Sequence, residues 1–225
     1  MADKKVIQDV IQWDTVNWGK CLYLWQNHLK ADKNLTCLEI GGRTGGLSLW
    51  AALKGYKVYC SDLENPEIIA KPLHQKYNVN IEYLAVNALN MAYNNHFDLI
   101  MIKSVMASIG AIRDKARIQQ AVSQIHKALK PGGKLLFVEN KRATPLHMLG
   151  RKLFTTWGSN LYYPTTDDMK EIFSPFSKVE YKTTGFLGCF GRTERQKHFL
   201  GKIDQAMNFA IPSSCNYVVY GVAEK

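Results

Sequence analysis

Residues 37–46 read Cys-Leu-Glu-Ile-Gly-Gly-Arg-Thr-Gly-Gly, and this stretch decides the fold. An apolar run ends at Ile40, a glycine-rich turn follows, and the apolar segment 47–53 comes next. That order is typical of a strand, a tight loop and a helix. Glycines let the backbone approach a ligand closely, and a helix N-terminus offers unpaired N–H groups to a carboxylate or a phosphate.

Two acids, Glu39 before the glycine loop and Asp62 after it, indicate that the loop binds a ligand and is not merely a tight turn. The apolar run 56–61 ends at Asp62, 23 residues after Glu39. Nucleotide-binding folds place the acid that contacts the ribose hydroxyls at about this distance. The loop is not the dinucleotide fingerprint, because that motif counted from Gly41 needs glycine at position 43, where Arg43 stands.

Strands and helices are predicted to alternate through the first two thirds of the chain. The expected strands are 36–40, 56–61, 81–86, 97–102 and 134–139, with helices at 45–54, from Asn65-Pro66 to about 77, and from about 118 to 129. Such alternation predicts a parallel sheet with helices on both faces. Apolar spacing predicts an earlier helix over 14–30 with Asp14 as its cap. Later elements are expected at 166–173, 178–183, 194–209 and 217–223.

Bulk properties limit the class of protein. The 225 residues suit one domain, and 46% apolar content is ordinary for a globular chain. No run approaches a membrane span and the N-terminus lacks the apolar core of a secretion signal, so we expect a cytoplasmic location with the five cysteines reduced. The net charge of +10 either serves solubility or points to an anionic partner, such as nucleic acid, a phosphorylated sugar carrier or an anionic membrane surface.

Taken together, the motifs resemble those of class I S-adenosylmethionine-dependent methyltransferases. The resemblance spans about residues 34–225. It is carried by Leu38-Glu39-Ile40-Gly41 with Gly45-Gly46, by Asp62, by Phe97-Asp98-Leu99-Ile100 and by Leu129-Lys130-Pro131-Gly132-Gly133-Lys134. It implies S-adenosylmethionine as the cofactor. It also implies an α/β fold: a Rossmann-like, seven-stranded, mostly parallel sheet with helices on both faces and an antiparallel last strand.

The resemblance also implies an organisation of the chain. We expect a single methyltransferase domain over 1–225, with an N-terminal helical cap (1–33), a cofactor-binding core (34–140) and a substrate-side elaboration with the closing strands (141–225). The cofactor-binding residues carried over are Trp18, Glu39, Gly41, Gly42, Arg43, Gly45, Asp62, Leu63, Asn87, Ala88 and Lys103. Trp18 can instead be a core residue, and Lys103 a solvated loop lysine.

Two positions depart from the family pattern. Arg43 replaces the middle glycine of the loop, and we expect it to pair with the methionine carboxylate of the cofactor. Asn87 replaces the usual acid after the third strand, where its side-chain oxygen can accept from the adenine amino group.

Methyl transfer from a sulfonium mainly requires alignment, and a hydroxyl acceptor benefits from a nearby base. The candidate bases are Glu139, which ends the fifth predicted strand, and His147. Glu139 can instead cap the next helix or pair with Lys141 or Arg142, and His147 can be a surface residue. The sequence contains no convincing metal-binding constellation.

The acceptor is predicted from the last third of the chain. Segments 141–163 and 185–198 are basic and aromatic, as suits a wall that binds sugars, bases or phosphates. The chain is similar to small bacterial methyltransferases associated with surface-glycan biosynthesis, which implies O-methylation of a sugar or another small or phosphorylated acceptor. Residues 141–163 form either a packed amphipathic helix or a lid for a phosphorylated acceptor or an anionic membrane surface.

The alternative functions for the whole chain are an RNA methyltransferase, a nicotinamide-dependent oxidoreductase and a non-catalytic cofactor-binding protein.

Overall fold

The computed structural model describes residues 3–29, 34–110, 114–154 and 161–225, with side chains of 151–154 excepted. Its helices are α1 (Lys4–Ile11), α2 (Thr15–Trp18), α3 (Lys20–His28), α4 (Gly46–Ala52), α5 (Glu67–Lys76), α6 (Met106–Ile109), α7 (Lys115–Ala128), α8 (Pro145–Phe154), α9 (Thr166–Ile172) and α10 (Glu194–Met207). Its strands are β1 (Thr36–Ile40), β2 (Lys57–Asp62), β3 (Glu82–Ala85), β4 (Phe97–Lys103), β5 (Leu129–Asn140), β6 (Lys178–Thr184) and β7 (Val218–Glu224).

The described strands form one seven-stranded sheet in the order β3-β2-β1-β4-β5-β7-β6. The first five strands pair in parallel, whereas β7 lies antiparallel between β5 and β6. The predicted fold class, including the antiparallel last strand, is therefore confirmed.

Two apolar cores cover the two faces of the sheet. Alternate side chains of β1 enter different cores: Cys37 packs with α1, α3 and α4, whereas Leu38 packs with α7 and α9. This alternation follows from the two-residue period of a strand, and it explains why central parallel strands are nearly continuously apolar. Trp25 fixes α3 to the sheet, because its indole N–H donates to the Gly221 carbonyl at 2.9 Å.

The N-terminal region differs from the single helix predicted over 14–30. Helices α2 and α3 meet at Gly19, and a Cβ there would collide with the Thr15 carbonyl oxygen. Asp14 is the N-cap residue of a helix, as predicted, but that helix is the short α2 and the side chain does not take part. Asp14 adopts a left-handed backbone conformation, with φ of 43°, and its carboxylate makes no capping bond.

The segment that follows β5 is anchored through a buried cation. Lys141 is 2% exposed and its ammonium donates to the carbonyls of Arg142, Ser213, Ser214 and Asn216 at 2.9–3.3 Å. Lys141 therefore ties the start of the late segment to the turn before β7, and it does not pair with Glu139.

We expect Lys141→Met to lower the free energy of unfolding by about 3 kcal/mol, because buried carbonyls lose their donor. Lys182→Met, at an exposed position of β6, is the matched control and should change it by less than about 0.5 kcal/mol. Urea unfolding of both variants measures the difference. Equal stability of the two variants would contradict an anchoring role for Lys141.

Candidate active-site cleft

A cleft of about 1870 Å³ opens at the carboxyl ends of the parallel strands. It lies where the strand order reverses between β1 and β4, which is where open α/β sheets bind ligands. Ligand pockets typically enclose about 300–1,000 Å³, so this cleft can hold two small molecules side by side. Its lining includes Gly41, Gly42, Arg43, Asp62, Leu63, Asn87, Ala88, Lys103 and Trp18 from the predicted cofactor-binding set, together with His147.

The buried carboxylate of Glu39 stabilises the glycine loop by hydrogen bonds to the start of α4. Its carboxylate is 1% exposed and accepts the backbone N–H groups of Leu47 and Ser48, at 3.2 and 2.7 Å, in the first turn of α4. Burial raises the pKa of Glu39, and the hydrogen bonds from Ser48 and the charge of Lys103 oppose that rise. Glu39 therefore fixes the direction of α4, and its carboxylate does not line the cleft.

Gly45 holds the loop against α5. It has φ of +72°, and its carbonyl accepts the Nε2–H of His74 at 2.9 Å. The Tyr83 hydroxyl donates to Nδ1 of the same imidazole at 2.8 Å. Burial lowers the pKa of His74, which favours the neutral ring that this bonding pattern requires. A Cβ at position 45 would overlap the imidazole, so glycine is required on two grounds.

Asp62 lies at the end of β2 with unused acceptor capacity. One carboxylate oxygen accepts the N–H of Leu63 at 2.8 Å and the other accepts the N–H of Arg43 at 3.1 Å. A carboxylate has about four lone-pair sites, so Asp62 can still accept two hydroxyl groups. Asn87 lies after β3, and its side-chain oxygen accepts the N–H of Leu89 at 2.9 Å.

Arg43 is exposed at the rim of the cleft, with φ of +46°. Its backbone N–H joins the loop to Asp62, so the residue connects the two acidic motifs through its main chain. The expected contact of its guanidinium with a carboxylate stays a prediction.

Lys103 attaches the N-terminal segment to the cleft. Its ammonium donates to the Ile11 carbonyl at 3.0 Å and to the Val10 carbonyl at 3.4 Å, and it lies 4.1 Å from the centre of the Trp13 ring. It is 9% exposed, and burial lowers its pKa to about 8. Lys103 is thus not a solvated loop lysine. Trp18 is 2% exposed, packs edge-on against Trp13 and still borders the cleft, so it is both core and lining.

The side chains of both predicted bases already have hydrogen-bonding partners within the protein. Glu139 is fully buried, and its oxygens accept the N–H groups of Val105 and Met106, at 2.8 and 3.2 Å, where α6 begins. Burial raises its pKa to about 8. Glu139 therefore caps α6, which precedes it in the chain, and not the next helix that the alternative named.

His147 lines the cleft but is only 2% exposed, so it is not a surface histidine. Its Nε2 lies 2.7 Å from the Phe186 carbonyl, which requires Nε2 to carry the proton. Nδ1 then accepts from the Thr144 hydroxyl at 2.6 Å. Both ring nitrogens are engaged, and this bonding suits a residue that holds the wall in place.

A buried polar cluster that lines the cleft was not predicted as a functional site. Asp14 and Tyr217 both line the cleft, and the Tyr217 hydroxyl donates to the Asp14 carboxylate. Asn17 donates to Asp14 at 3.2 Å and to Asp204 at 3.0 Å. Burial raises the pKa of Asp14 to about 7, and the charges of Asp204 and Glu194 add to that rise.

No local motif could have identified this cluster, because Asp14 and Tyr217 are 203 positions apart. The weak signal was an acid between two tryptophans, Trp13 and Trp18, in a segment that also resembles an ordinary helix start. Of the other predicted wall residues, Trp157 and the side chains of Arg151 and Lys152 lie outside the described residues.

The charge lining the cleft is predominantly positive. Five basic side chains border it, against the two carboxyls of Asp14 and Asp62: Arg43, Lys103, Arg117, Arg192 and Lys197. Lys197 pairs with Glu194 at 3.2 Å. Arg117 lies exposed in the first turn of α7.

Comparisons with known proteins agree with this geometry. Residues 38–135 match the family model described as a methyltransferase domain. This match runs from β1 into β5, and it includes the glycine loop and Asp62. The match supports the predicted enzyme class, a methyltransferase, over the oxidoreductase alternative. No curated protein matches the sequence.

Solved structures share the fold at low sequence identity. One of them is phosphoethanolamine N-methyltransferase 2 of Haemonchus contortus, solved in complex with phosphomonomethylethanolamine and S-adenosylhomocysteine. It is 17% identical to this chain, with a TM-score of 0.63. The match covers 92% of this chain and 52% of the Haemonchus protein. The chain thus spans about half the length of that protein. The N-methyltransferase NodS of Bradyrhizobium japonicum is 15% identical with a TM-score of 0.60, covering 100% of this chain and 99% of its own. An S-adenosylmethionine-dependent methyltransferase of Methanosarcina mazei is 17% identical with a TM-score of 0.61. The match covers 89% of this chain and 96% of the Methanosarcina protein.

We expect Gly45→Ala to destabilise the fold more than Gly55→Ala. Both glycines have positive φ, so both variants bear the strain of about 1–2 kcal/mol that a Cβ causes there. Only at position 45 does the new Cβ also overlap His74, whereas nothing lies within 4 Å of the Cβ at position 55. Denaturant unfolding should show an additional loss of about 1–3 kcal/mol for Gly45→Ala. Equal losses would show that the loop is not packed against His74.

Proposed function

We propose that this protein transfers a methyl group from S-adenosylmethionine to a hydroxyl of a small phosphorylated acceptor, such as a sugar phosphate. The observation that carries the proposal is the continuity of one cleft. The same cleft is lined by the glycine loop and Asp62 and by Asp14, Tyr217 and several basic residues. We place the reaction in the cytoplasm, where the free cysteines would stay reduced.

The glycine-loop end of the cleft suits the cofactor. Gly41 has φ of +67°, and a Cβ there would lie 2.6 Å from Val105, so only glycine leaves the loop close to the cleft. Asp62 has free acceptor sites for the two ribose hydroxyls, and Asn87 is exposed beside it in the lining. When bound, S-adenosylmethionine supplies an electrophilic methyl group, so the protein mainly has to align the acceptor.

Several basic residues of the cleft lining suit an anionic acceptor. Arg117, Arg192 and Lys197 border the cleft, and arginine pairs well with phosphate because its planar fork can donate two bonds. The Haemonchus contortus enzyme, which shares the fold, is crystallised with a phosphorylated amine. A phosphate on the acceptor is therefore consistent with both the local charge and one structural neighbour, whereas nitrogen rather than oxygen as the methylated atom is the main competing outcome.

We assign to Asp14, which lines the cleft although it is only 2% exposed, the proton that the acceptor hydroxyl loses. Asp14 borders the cleft, whereas Glu139 is sealed beneath α6. In the transfer, the proton of the acceptor hydroxyl would move to an Asp14 oxygen while the acceptor oxygen bonds to the methyl carbon. The S–CH₃ bond would break at the same time, with the electron pair staying on the sulfur of the departing S-adenosylhomocysteine. Tyr217 and Asn17 hold that carboxylate by donating to it, and the N–H of Asp14 is held by Glu194 at 2.8 Å.

The first test measures cofactor binding by calorimetry. S-Adenosylhomocysteine should bind and NADH should not. Asp62→Ala should weaken the binding of S-adenosylhomocysteine by about 5- to 150-fold, because hydrogen bonds to a charged group contribute about 1–3 kcal/mol. Asp167→Ala, at an exposed position of α9, is the matched control and should leave the affinity unchanged. Unchanged affinity in Asp62→Ala would contradict the ribose assignment.

The second test offers acceptors with labelled S-adenosylmethionine. The panel contains hexose phosphates, the same hexoses without phosphate, phosphoethanolamine and a short RNA. We expect turnover of a hexose phosphate and a higher KM for its unphosphorylated form. Turnover of phosphoethanolamine alone would make nitrogen the acceptor atom, and methylated RNA would replace the small-molecule proposal.

The third test isolates Asp14 with the acceptor that the panel identifies. Wild-type kcat/KM should rise with pH through an apparent pKa near 7, because Asp14 accepts a proton only when ionised. Asp14→Asn should lower kcat by about 10²- to 10⁴-fold while retaining affinity for S-adenosylhomocysteine. The groups that face Asp14 are Tyr217, Asp204, Glu194 and, more remotely, Lys20.

Glu194→Gln is the matched variant for this test. Its side-chain oxygen can still accept the N–H of Asp14, but it removes a negative charge that raises the pKa of Asp14. The rise in activity should therefore move to lower pH with little change in the plateau. A Glu194→Gln profile identical to wild type, or a fully active Asp14→Asn, would reject Asp14 as the proton acceptor.

A further inference from the structure

Exposed apolar side chains are concentrated on and next to α8 and α10, two helices that each contribute residues to the lining of the cleft. Eleven large apolar residues are exposed among the described residues, and six of them lie on α8, on α10, in the 3₁₀ turn at Gly188–Phe190 or just after α10. These six are Leu146, Leu149, Phe190, Phe199, Met207 and Phe209. Phe209 is 92% exposed and Phe199 is 65% exposed, so these rings face water in the isolated protein.

The three elements form one continuous surface, here called the α8–α10 face. A Cβ at Gly150 of α8 would lie 3.4 Å from the Phe190 ring, and a Cβ at Gly191 would lie 2.7 Å from Cγ of Lys197 on α10. Helix α10 is two-sided: Gly201 and Asp204 are buried, whereas Arg195, Phe199 and Lys202 are exposed at spacings of four and three residues. That spacing places the last three on one face of the helix.

A groove of about 590 Å³ runs along this face. Its lining combines Phe190 and Phe199 with Arg192 and Arg195. Phe190, Gly191 and Arg192 border both this groove and the large cleft, so the groove adjoins the proposed acceptor end.

The charge of the face is positive. Arg192, Arg195 and Lys202 are exposed there. Of the nearby acids, Asp204 is 2% exposed and accepts the N–H groups of Leu187 and Gly188, and Glu194 is paired with Lys197. The face therefore presents cations and apolar groups together, as interfacial helices do.

The geometry points to the surface of an anionic lipid bilayer as the partner of the α8–α10 face. Phenylalanine, leucine and methionine side chains can enter the acyl boundary while arginine and lysine remain among anionic headgroups. Nucleic acid fits less well, because leucine and methionine provide no ring on which a base can stack. A second copy of the chain fits less well because a two-fold contact would bring Arg195 and Lys202 against like charges.

Bilayer contact through this face goes beyond the proposed reaction, since it concerns adsorption and not methyl transfer. No described helix is long and apolar enough to cross a bilayer, so contact would be made at the surface. If the proposed function also holds, the cleft would open next to the headgroup layer, and the phosphorylated acceptor would be an amphiphile.

Vesicle co-sedimentation of the full chain tests this inference without any acceptor. We expect binding to phosphatidylcholine vesicles that contain phosphatidylglycerol, and little binding to phosphatidylcholine alone. Arg195→Gln with Lys202→Gln should weaken binding by about 5-fold for each charge removed, and added salt should do the same. Phe199→Ser with Phe209→Ser should weaken binding at every salt concentration, because apolar insertion is not screened.

Ile68→Ser is the matched control, because Ile68 is 90% exposed but lies on α5, outside the α8–α10 face. It should bind vesicles as the wild type does. All variants change exposed residues, and unchanged melting temperatures would verify that they fold. The inference is overturned if the wild-type protein does not bind anionic vesicles, or if the variant with Phe199→Ser and Phe209→Ser binds them as strongly as the wild type. It is also overturned if a short RNA binds this face and displaces the vesicles. Each outcome is independent of whether methyl transfer is found.

Discussion

The buried carboxylate of Glu39 is the constraint on which the site depends. It accepts two N–H groups at the start of α4 and so satisfies donors that a helix N-terminus leaves unpaired. Because these donors carry the positive end of the helix dipole, an acid at this position stabilises both the helix and its direction. The loop between β1 and α4 is thereby held across the end of the sheet, with Gly41 and Gly42 in the lining of the cleft. Asp62 and His74 then fix the loop from β2 and α5.

A second set of contacts builds the acceptor side from distant segments. Lys103 binds the carbonyls that end α1, and Asp14 binds Tyr217 next to β7. The N-terminal segment therefore bridges the switch point of the sheet and its late antiparallel strand. Burial of these polar groups is tolerated because each has hydrogen-bonding partners. The same burial gives Lys103 and Asp14 lowered and raised pKa values, respectively.

The parts of the structure that sequence could predict are those governed by local patterns. Strand β1 was predicted with its observed bounds, because an apolar run followed by glycines has few other solutions, and Asp62 was found by its spacing from Glu39. The role of Glu139 depends on the short helix α6, which no periodicity revealed, and the split at Gly19 depends on close backbone packing. The Asp14 cluster depends on contacts across the whole chain, which local sequence patterns do not identify.

The position of β7 between β5 and β6 has a consequence for how the protein folds. Among the described strands β6 pairs only with β7, so this edge of the sheet cannot assemble until residues 218–224 have been synthesised. Strands that are far apart in sequence pair slowly, because the entropy cost of closing the chain between them comes before the stabilising contacts form. During synthesis, the glycine-loop half of the cleft can take shape first, from elements that are adjacent along the chain. The acceptor half, which needs Tyr217 beside Asp14, is completed last. A nascent chain therefore passes through a stage in which the first half of its active site has formed and the second has not.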